Sequence, residues 1–424
     1  MEGLRHRELR VLRGPRVAGW RIQDRQDREG RRRGRRSGAA RGRTLTNPAG
    51  ASIAGARRSA GLPDFPWDLL EPAKKTASAH PDGLVDLSIG TPVDPVPEVV
   101  REALRAASDA PGYPLTAGTT ALREAIASWV AAACGAVPGF GVLPTIGSKE
   151  LIASLPWLLG IGPGDTVVIP EVCYPTYEVG VRLAGATAVR SDSLTALGPA
   201  RVRLVWVNSP GNPTGRVLPP EHLRKVVDWA RERGAVVASD ECYLTLGWST
   251  PPTSILSTVD SYQNVLAMHS LSKRSNLAGY RAGFVAGDPA LVAELLAVRK
   301  HAGLIVPQPV QAAMVAALGD QSHVDEQRDR YRRRRDQLLA ALLGAGFAVD
   351  ASEAGLFLWA TRGEDCWSTV DWLAERGILV SPGTFYGPAG QRHVRFALTA
   401  TDERIAAAVA RLAASCTGKG FASA

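Results

Sequence analysis

From residue 62 onward, short apolar runs alternate with stretches whose apolar positions recur every three or four residues. TVVIP at Thr166, RLVWVNSP at Arg203, AVVASDE at Ala235, NVLAMHS at Asn264 and RAGFVAG at Arg281 read as strands. Their near-continuous Val, Ile and Leu content marks strands covered on both faces, not a sheet with one wet face. With helical segments between them, they predict an α/β fold whose large domain holds a mainly parallel central sheet. Functional side chains then belong at the carboxyl ends of the strands. Ahead of this region, Leu84 to Gly90 (LVDLSIG) reads as a short strand ending in a glycine turn, and the proline-rich TPVDPVP as a loop. EVVREALRAAS after Pro97 is helical, and GSKELIASL from Gly147 to Leu155 is a tight turn opening a helix. A long arginine-rich amphipathic helix is predicted from about Val324 to Leu343. Beyond it FAVDASEAGLFLWA, a helix at Ser368 to Arg376, the strand HVRFALT and a final helix make a smaller α+β domain. The expected division is an arm over 62–96 that joins the small domain, a large domain over 97–323, and a linker helix with the C-terminal small domain over 324–418. There are no internal repeats.

Charge changes the picture only at the N-terminus. Residues 1–60 hold 17 arginines, no lysine and 5 acids, a surplus of +12, so the rest of the chain contributes −3 to the overall +9. The tail, with RRRGRRSGAARGR from Arg31 to Arg43, has too little apolar content to offset its ordering entropy and reads as a disordered extension. A start assigned too far upstream, a basic tail for anionic polymers and a targeting peptide all remain open for it. The last is weakened by the five acids and the lack of an apolar segment. The mildly acidic remainder gives no reason to expect specific nucleic-acid binding. The longest apolar stretch, Leu151 to Ile161, is broken by Pro156 and too short to span a bilayer. Five scattered cysteines without a CxxC pair argue for a reducing, cytoplasmic setting and against a zinc site.

Candidate chemistry gathers at strand ends. HSLSKRSNLAGYRAGF, from His269 to Phe284, places Lys273 beyond an apolar run, with serines beside it and Arg281 eight residues on. Lysine is scarce here, 7 of 50 basic residues. A lysine at a strand mouth can form a Schiff base with an aldehyde, while Ser270 and Arg281 can hold a phosphate. Asp240 ends the strand in ASDECY and Asn212 lies in NSPGNPTG after another. Gly147, Ser148 and Lys149 stand where backbone N–H groups at a helix start attract phosphate. Each residue alone has an ordinary structural explanation: a turn Asp, a packed tyrosine, a surface arginine.

In series they are harder to dismiss. The order Gly90, Tyr113, Gly147, Tyr174, Asn212, Asp240, Tyr243, Lys273, Arg281, Arg395 resembles the site series of class I and II, fold-type I aminotransferases, over about Leu62 to Ser415. The separations fit as well, 28 residues from Asn212 to Asp240 and 33 on to Lys273. The resemblance implies pyridoxal 5′-phosphate as cofactor, with Lys273 as its Schiff-base residue and proton carrier. Asp240 would face the ring nitrogen, with Tyr243 and Asn212 on the ring oxygen and Tyr174 stacked on the ring. Gly147, Ser148, Ser270 and Arg281 would hold the phosphate, with Lys149 where the family often has Ser or Thr. Tyr113 would reach a partner subunit's phosphate in a homodimer. Arg395 would fork the substrate α-carboxylate beside Gly90 and Asn212. No metal is implied.

LPDFPWDLL, LPTIGSKELIASLPWLLG and SLSKRSNLAGYRAGF are most similar to actinobacterial N-succinyldiaminopimelate aminotransferases. That resemblance implies ping-pong exchange of an amino group between glutamate and N-succinyl-2-amino-6-oxopimelate, on the lysine and diaminopimelate route. Lys300 and His301 are candidates for the distal carboxylate, supplied by a partner subunit. Alternatives are an aspartate or aromatic aminotransferase, a pyridoxal-phosphate-dependent C–S β-lyase, and a regulator built on an aminotransferase-like domain. The regulator needs an N-terminal helical DNA-binding domain, for which residues 1–60 have too few apolar positions.

Overall fold

The apolar runs lie side by side in one seven-stranded sheet. Its spatial order is Gly141–Thr145, Gly283–Gly287, Val265–Ser270, Val236–Asp240, Val202–Asn208, Thr166–Ile169 and Thr187–Arg190. In the computed structural model, residues 61–63, 65–194 and 201–417 are described, all within the unit spanning 56–424. The basic segment 1–60 and residue 418 lie outside the described residues. Pairing is parallel except along Gly283–Gly287, which runs antiparallel to both neighbours. Every residue of Thr166–Ile169 and of Val265–Ser270 is buried, as continuous apolar runs require when helices cover both faces.

Two strands escape the sequence pattern. Gly141–Thr145 carries a glycine and a proline, and Thr187–Arg190 is an edge strand without a fully buried residue. RAGFVAG joins the sheet only at Gly283. Arg281 has a left-handed φ of +56° at the end of the turn Ala278–Tyr280, and it lines the central cavity, not the sheet.

A second, antiparallel sheet has the order Ser381–Pro382, Val394–Ala397, Phe357–Thr361, Ala348–Asp350. It packs with the helices Cys366–Ala374 and Asp402–Thr417. The early strand Val85–Asp86 pairs in parallel with Ile378–Leu379, and Ala397 N donates to the Leu87 carbonyl. Residues 85–90 are thereby drawn from the N-terminal side into the C-terminal elements and delivered to the cavity. Among the described residues no helix is long and apolar enough to cross a membrane.

The long helix, observed as Ser322–Gly344, is tied down around Asp94 by Gln327, Arg330 and, most closely, the buried Arg334. Arg334, only 3% exposed, forks both oxygens of Asp94 at 2.8 and 2.7 Å and donates its Nε to Asp402 at 2.5 Å. It joins the loop before Glu98–Ala106, the long helix and the last helix at one point. Arg334→Met keeps the stem but removes the bidentate partner of Asp94, which retains Arg330 at 3.2 Å and Gln327 at 2.8 Å, so urea unfolding is expected to show a loss of about 2 kcal/mol. A midpoint equal to that of the unaltered protein would remove this role from the fork.

Candidate active site

The carboxyl ends of adjacent strands place polar side chains where little water reaches. Asn208, the last residue of its strand, donates Nδ2 to the Asp240 carbonyl at 2.9 Å and accepts from the Asn212 amide at 2.8 Å. That grip folds SPGNPTG back over the sheet and sets Asn212 above it. Asp240 ends the neighbouring strand and is buried, its Oδ2 accepting from the Tyr177 hydroxyl at 2.8 Å and its Oδ1 from the Cys242 amide at 3.2 Å. Burial raises the Asp240 pKa while these hydrogen bonds oppose the rise. Tyr243, in the turn that follows, is buried edge-on to Phe357 with ring centroids 5.7 Å apart.

Lys273 stands in the single turn Leu271–Arg274 directly after the strand Val265–Ser270. Ser270 caps that turn, its Oγ accepting from the Ser272 amide at 3.1 Å. The Lys273 ammonium donates to the Gly90 carbonyl. Burial first, and then the positive charges of Arg395 and Arg281, lower its pKa to about 8, against the pull of Cys242. At the helix start Gly147 has φ +73°, and a Cβ there would sit 2.5 Å from Arg281 Nη2. Glycine is needed for both reasons. Lys149 follows, its pKa lowered by burial and by Arg281. Neither Lys149 nor Arg281 has an acidic ion-pair partner among the described residues, so two cations converge on a helix N-terminus with nothing to balance them.

Arg395 is the third unbalanced cation. It is buried, and its Nη1 donates to Asn212 Oδ1 at 3.0 Å and its Nη2 to the Ser88 carbonyl at 2.6 Å. Its guanidinium lies 4.0 Å from the Phe357 ring centroid and 4.9 Å from that of Tyr386, and its Nε has no partner. A buried guanidinium held only by neutral acceptors is a ready site for a carboxylate.

These groups line one cavity of about 640 Å³. Of the residues expected from sequence, Gly90, Ser148, Lys149, Tyr174, Asn212, Asp240, Tyr243, Ser270, Lys273, Arg281 and Arg395 line it, and Gly147 abuts Arg281 at its edge. Tyr113 does not. It is fully exposed, and Lys300 and His301 are likewise exposed at the end of the helix Pro289–Ala302. Sequence reasoning missed Tyr177, the donor to Asp240, as well as Phe65, Trp67 and Phe357 on the cavity wall. Phe65 and Trp67 lie within the LPDFPWDLL motif, but nothing in the spacing announces that it returns to the site.

The scattered cysteines also gain a context. Cys134 Sγ lies 3.6 Å from His269 Nε2, with Glu241 completing a buried group whose ligand-type atoms all fall within 4.8 Å. Burial keeps the thiol protonated and the imidazole neutral, with its pKa near 3, so this is a packed polar cluster behind the strand ends.

The cavity fits pyridoxal phosphate on three counts: a glycine cradle beside Arg281, a buried amine with a lowered pKa, and a buried carboxylate at a strand end. The sequence pattern of the class I and II aminotransferases matches residues 82–412. A probable aminotransferase of Mycobacterium tuberculosis is 60% identical over 97% of this chain and 100% of its own length. The 4-dedimethylamino-4-oxo-anhydrotetracycline transaminase of Streptomyces rimosus is 61% identical over 83% of this chain and 99% of its own. Among solved structures, a probable N-succinyldiaminopimelate aminotransferase from Thermus thermophilus superposes with a TM-score of 0.75 at 30% identity, covering 82% of this chain and 99% of that one. Family pattern, full-length relatives and fold agree, and the chain belongs to the class I and II aminotransferases, fold-type I enzymes that depend on pyridoxal 5′-phosphate.

Proposed function

We propose that this aminotransferase moves an amino group between glutamate and an acylated oxo-dicarboxylic acid. The favoured reaction converts N-succinyl-LL-2,6-diaminopimelate and 2-oxoglutarate into N-succinyl-2-amino-6-oxopimelate and glutamate, in the cytoplasm. The observation that carries this reading is a pair of cations at different depths of one cavity. Arg395 lies deep and lacks a carboxylate, while the Lys149 ammonium lies toward the mouth, 5.9 Å from the centroid of the Phe65 ring. The first suits an α-carboxylate and the second a carboxylate farther along the same substrate. Lys149 then serves substrate more than phosphate, and takes the distal place for which Lys300 and His301 are the sequence candidates. The resemblance to the probable N-succinyldiaminopimelate aminotransferase of Thermus thermophilus supports the choice of substrate.

A second reading has its own observation. The Streptomyces relative is 61% identical and is named for a 4-oxo-anhydrotetracycline. The rings of Phe65 and Trp67, 5.5 Å apart on the cavity wall, would suit a flat acceptor of that kind.

Pyridoxal phosphate supplies an electron sink for the charge left at the substrate Cα when its proton departs. In our reading Asp240 holds a negative charge at the ring nitrogen, and Tyr174 covers the ring face. The Tyr243 hydroxyl and Asn212 Nδ2 would donate to the ring oxygen, since Asn212 Oδ1 already accepts from Arg395. Gly147, Ser148, Ser270 and Arg281 bind the phosphate. The Lys273 amine would take the proton from the substrate Cα and deliver it to the cofactor's C4′ carbon, acting as general base and then general acid with a pKa near the working range. Arg395 fixes the α-carboxylate under Gly90, so that the Cα proton faces Lys273. Tyr113, exposed on its own subunit, reaches the phosphate site of a second copy, which makes the working form a homodimer.

Two outcomes are expected. The rate at which cofactor-free protein takes up pyridoxal phosphate, followed by absorbance, should rise with pH up to about 8 and then level off, because only the neutral Lys273 amine attacks. A rate still climbing well above that point would mean an ordinary exposed lysine. Lys149→Met should raise the KM for N-succinyl-LL-diaminopimelate by about tenfold, the value of one charge-assisted contact, and leave cofactor affinity unchanged. Weakened cofactor with an unchanged KM would return Lys149 to the phosphate, and turnover only with a tetracycline ketone acceptor would establish the second reading.

A further inference from the structure

We propose that Tyr177 is a positioning residue that holds the Asp240 carboxylate charged and oriented for the cofactor ring. The proposal rests on the assignment of Asp240 to the ring nitrogen made above. Tyr177 opens the helix Thr176–Ala184 and is completely buried. Its hydroxyl donates to Asp240 Oδ2 at 2.8 Å, and its ring stacks on Trp206 with centroids 4.8 Å apart and planes 23° apart. Trp206 lies on the strand Val202–Asn208, which pairs with the strand that carries Asp240, so ring and carboxylate are fixed by the same sheet. The hydroxyl is aimed by this stacking, without freedom to choose another acceptor.

Asp240 needs such a donor. No ion pair reaches it among the described residues, although it is buried. The titratable groups that act with it are Tyr174 and Tyr177 from the facing segment and Glu241, Cys242 and Tyr243 from its own strand end. None of them is a cation. Its charge therefore depends on hydrogen bonds, from Tyr177 on Oδ2 and from Cys242 on Oδ1. These two bonds also set the plane of the carboxylate, leaving its remaining lone pairs for the cavity that Asp240 lines. Burial and the neighbouring Asp240 charge push the Tyr177 phenol well up, so it remains a donor across the working pH range.

A buried tyrosine could instead act only through packing, and Tyr177→Phe separates the two roles because it keeps the ring and removes the hydroxyl. The expected result is about a tenfold weaker pyridoxal phosphate Kd by equilibrium dialysis, the equivalent of one charge-assisted hydrogen bond. The acid limb of the kcat/KM profile should move upward by about one pH unit, because a carboxylate without its donor takes up a proton more readily. KM for glutamate should stay within about twofold while kcat falls. Asp240→Asn should weaken the cofactor more, and adding Tyr177→Phe to it should change the Kd no further. An unchanged unfolding midpoint of the cofactor-free Tyr177→Phe variant would exclude a packing effect. If Asp240→Asn weakens binding but Tyr177→Phe leaves Kd and acid limb in place, the positioning role is overturned. If Asp240→Asn itself changes nothing, the Asp240 assignment falls instead.

Discussion

Charged and polar groups must be kept satisfied at the end of a sheet that excludes water, and the rest of the site follows from how this is done. Buried parallel strands leave their last residues facing inward, where an unpaired polar group costs more than a hydrogen bond gains. Asn208 and Asp240 meet this by bonding each other's surroundings: amide to carbonyl, carboxylate to phenol, side-chain oxygen to the next loop. Those bonds fix where Asn212 stands, and Asn212 in turn holds one arm of Arg395.

Arg395 carries the network from one sheet to the other. It sits on the antiparallel sheet, reaches Asn212 beyond the parallel sheet and grips the Ser88 carbonyl of the N-terminal stretch. The same stretch presents the Gly90 carbonyl to Lys273. Three regions far apart in the chain are thus held within one side chain's length of the amine. Packing is tight at that junction, where a Cβ on Gly90 would come within 2.7 Å of Phe357.

Positive charge is the second consequence. Lys149, Lys273, Arg281 and Arg395 share a cavity in which Asp240 is the carboxylate on the wall. Their mutual repulsion, added to burial, lowers the lysine pKa values and leaves the cavity suited to anions. Lys149 shares the cavity wall with Phe65 and Trp67, so a cation and two aromatic rings are offered together to whatever enters.

Local pattern alone was enough for much of this. Continuous apolar runs predict the buried strands because burial on both faces tolerates no polar alternation, and the strand ends at Asn208, Asp240 and Ser270 follow from where those runs stop. The edge strand Thr187–Arg190 was not legible, since half-exposed edges have no such demand. Nor was Tyr177: its partner lies 63 residues away, and a tyrosine in the first turn of a helix looks like packing until the fold puts a carboxylate against it. The left-handed turn that sends Arg281 out of its apparent strand and into the cavity, and the return of Phe65 and Trp67 to the cavity wall, are long-range outcomes of the same kind. Most of the elements, the family and the chemical inventory could be read from the order of residues, because those depend on residue type and short spacing. Which charges go unbalanced and which donor serves which carboxylate emerge in the folded chain, because they depend on which distant side chains are buried together.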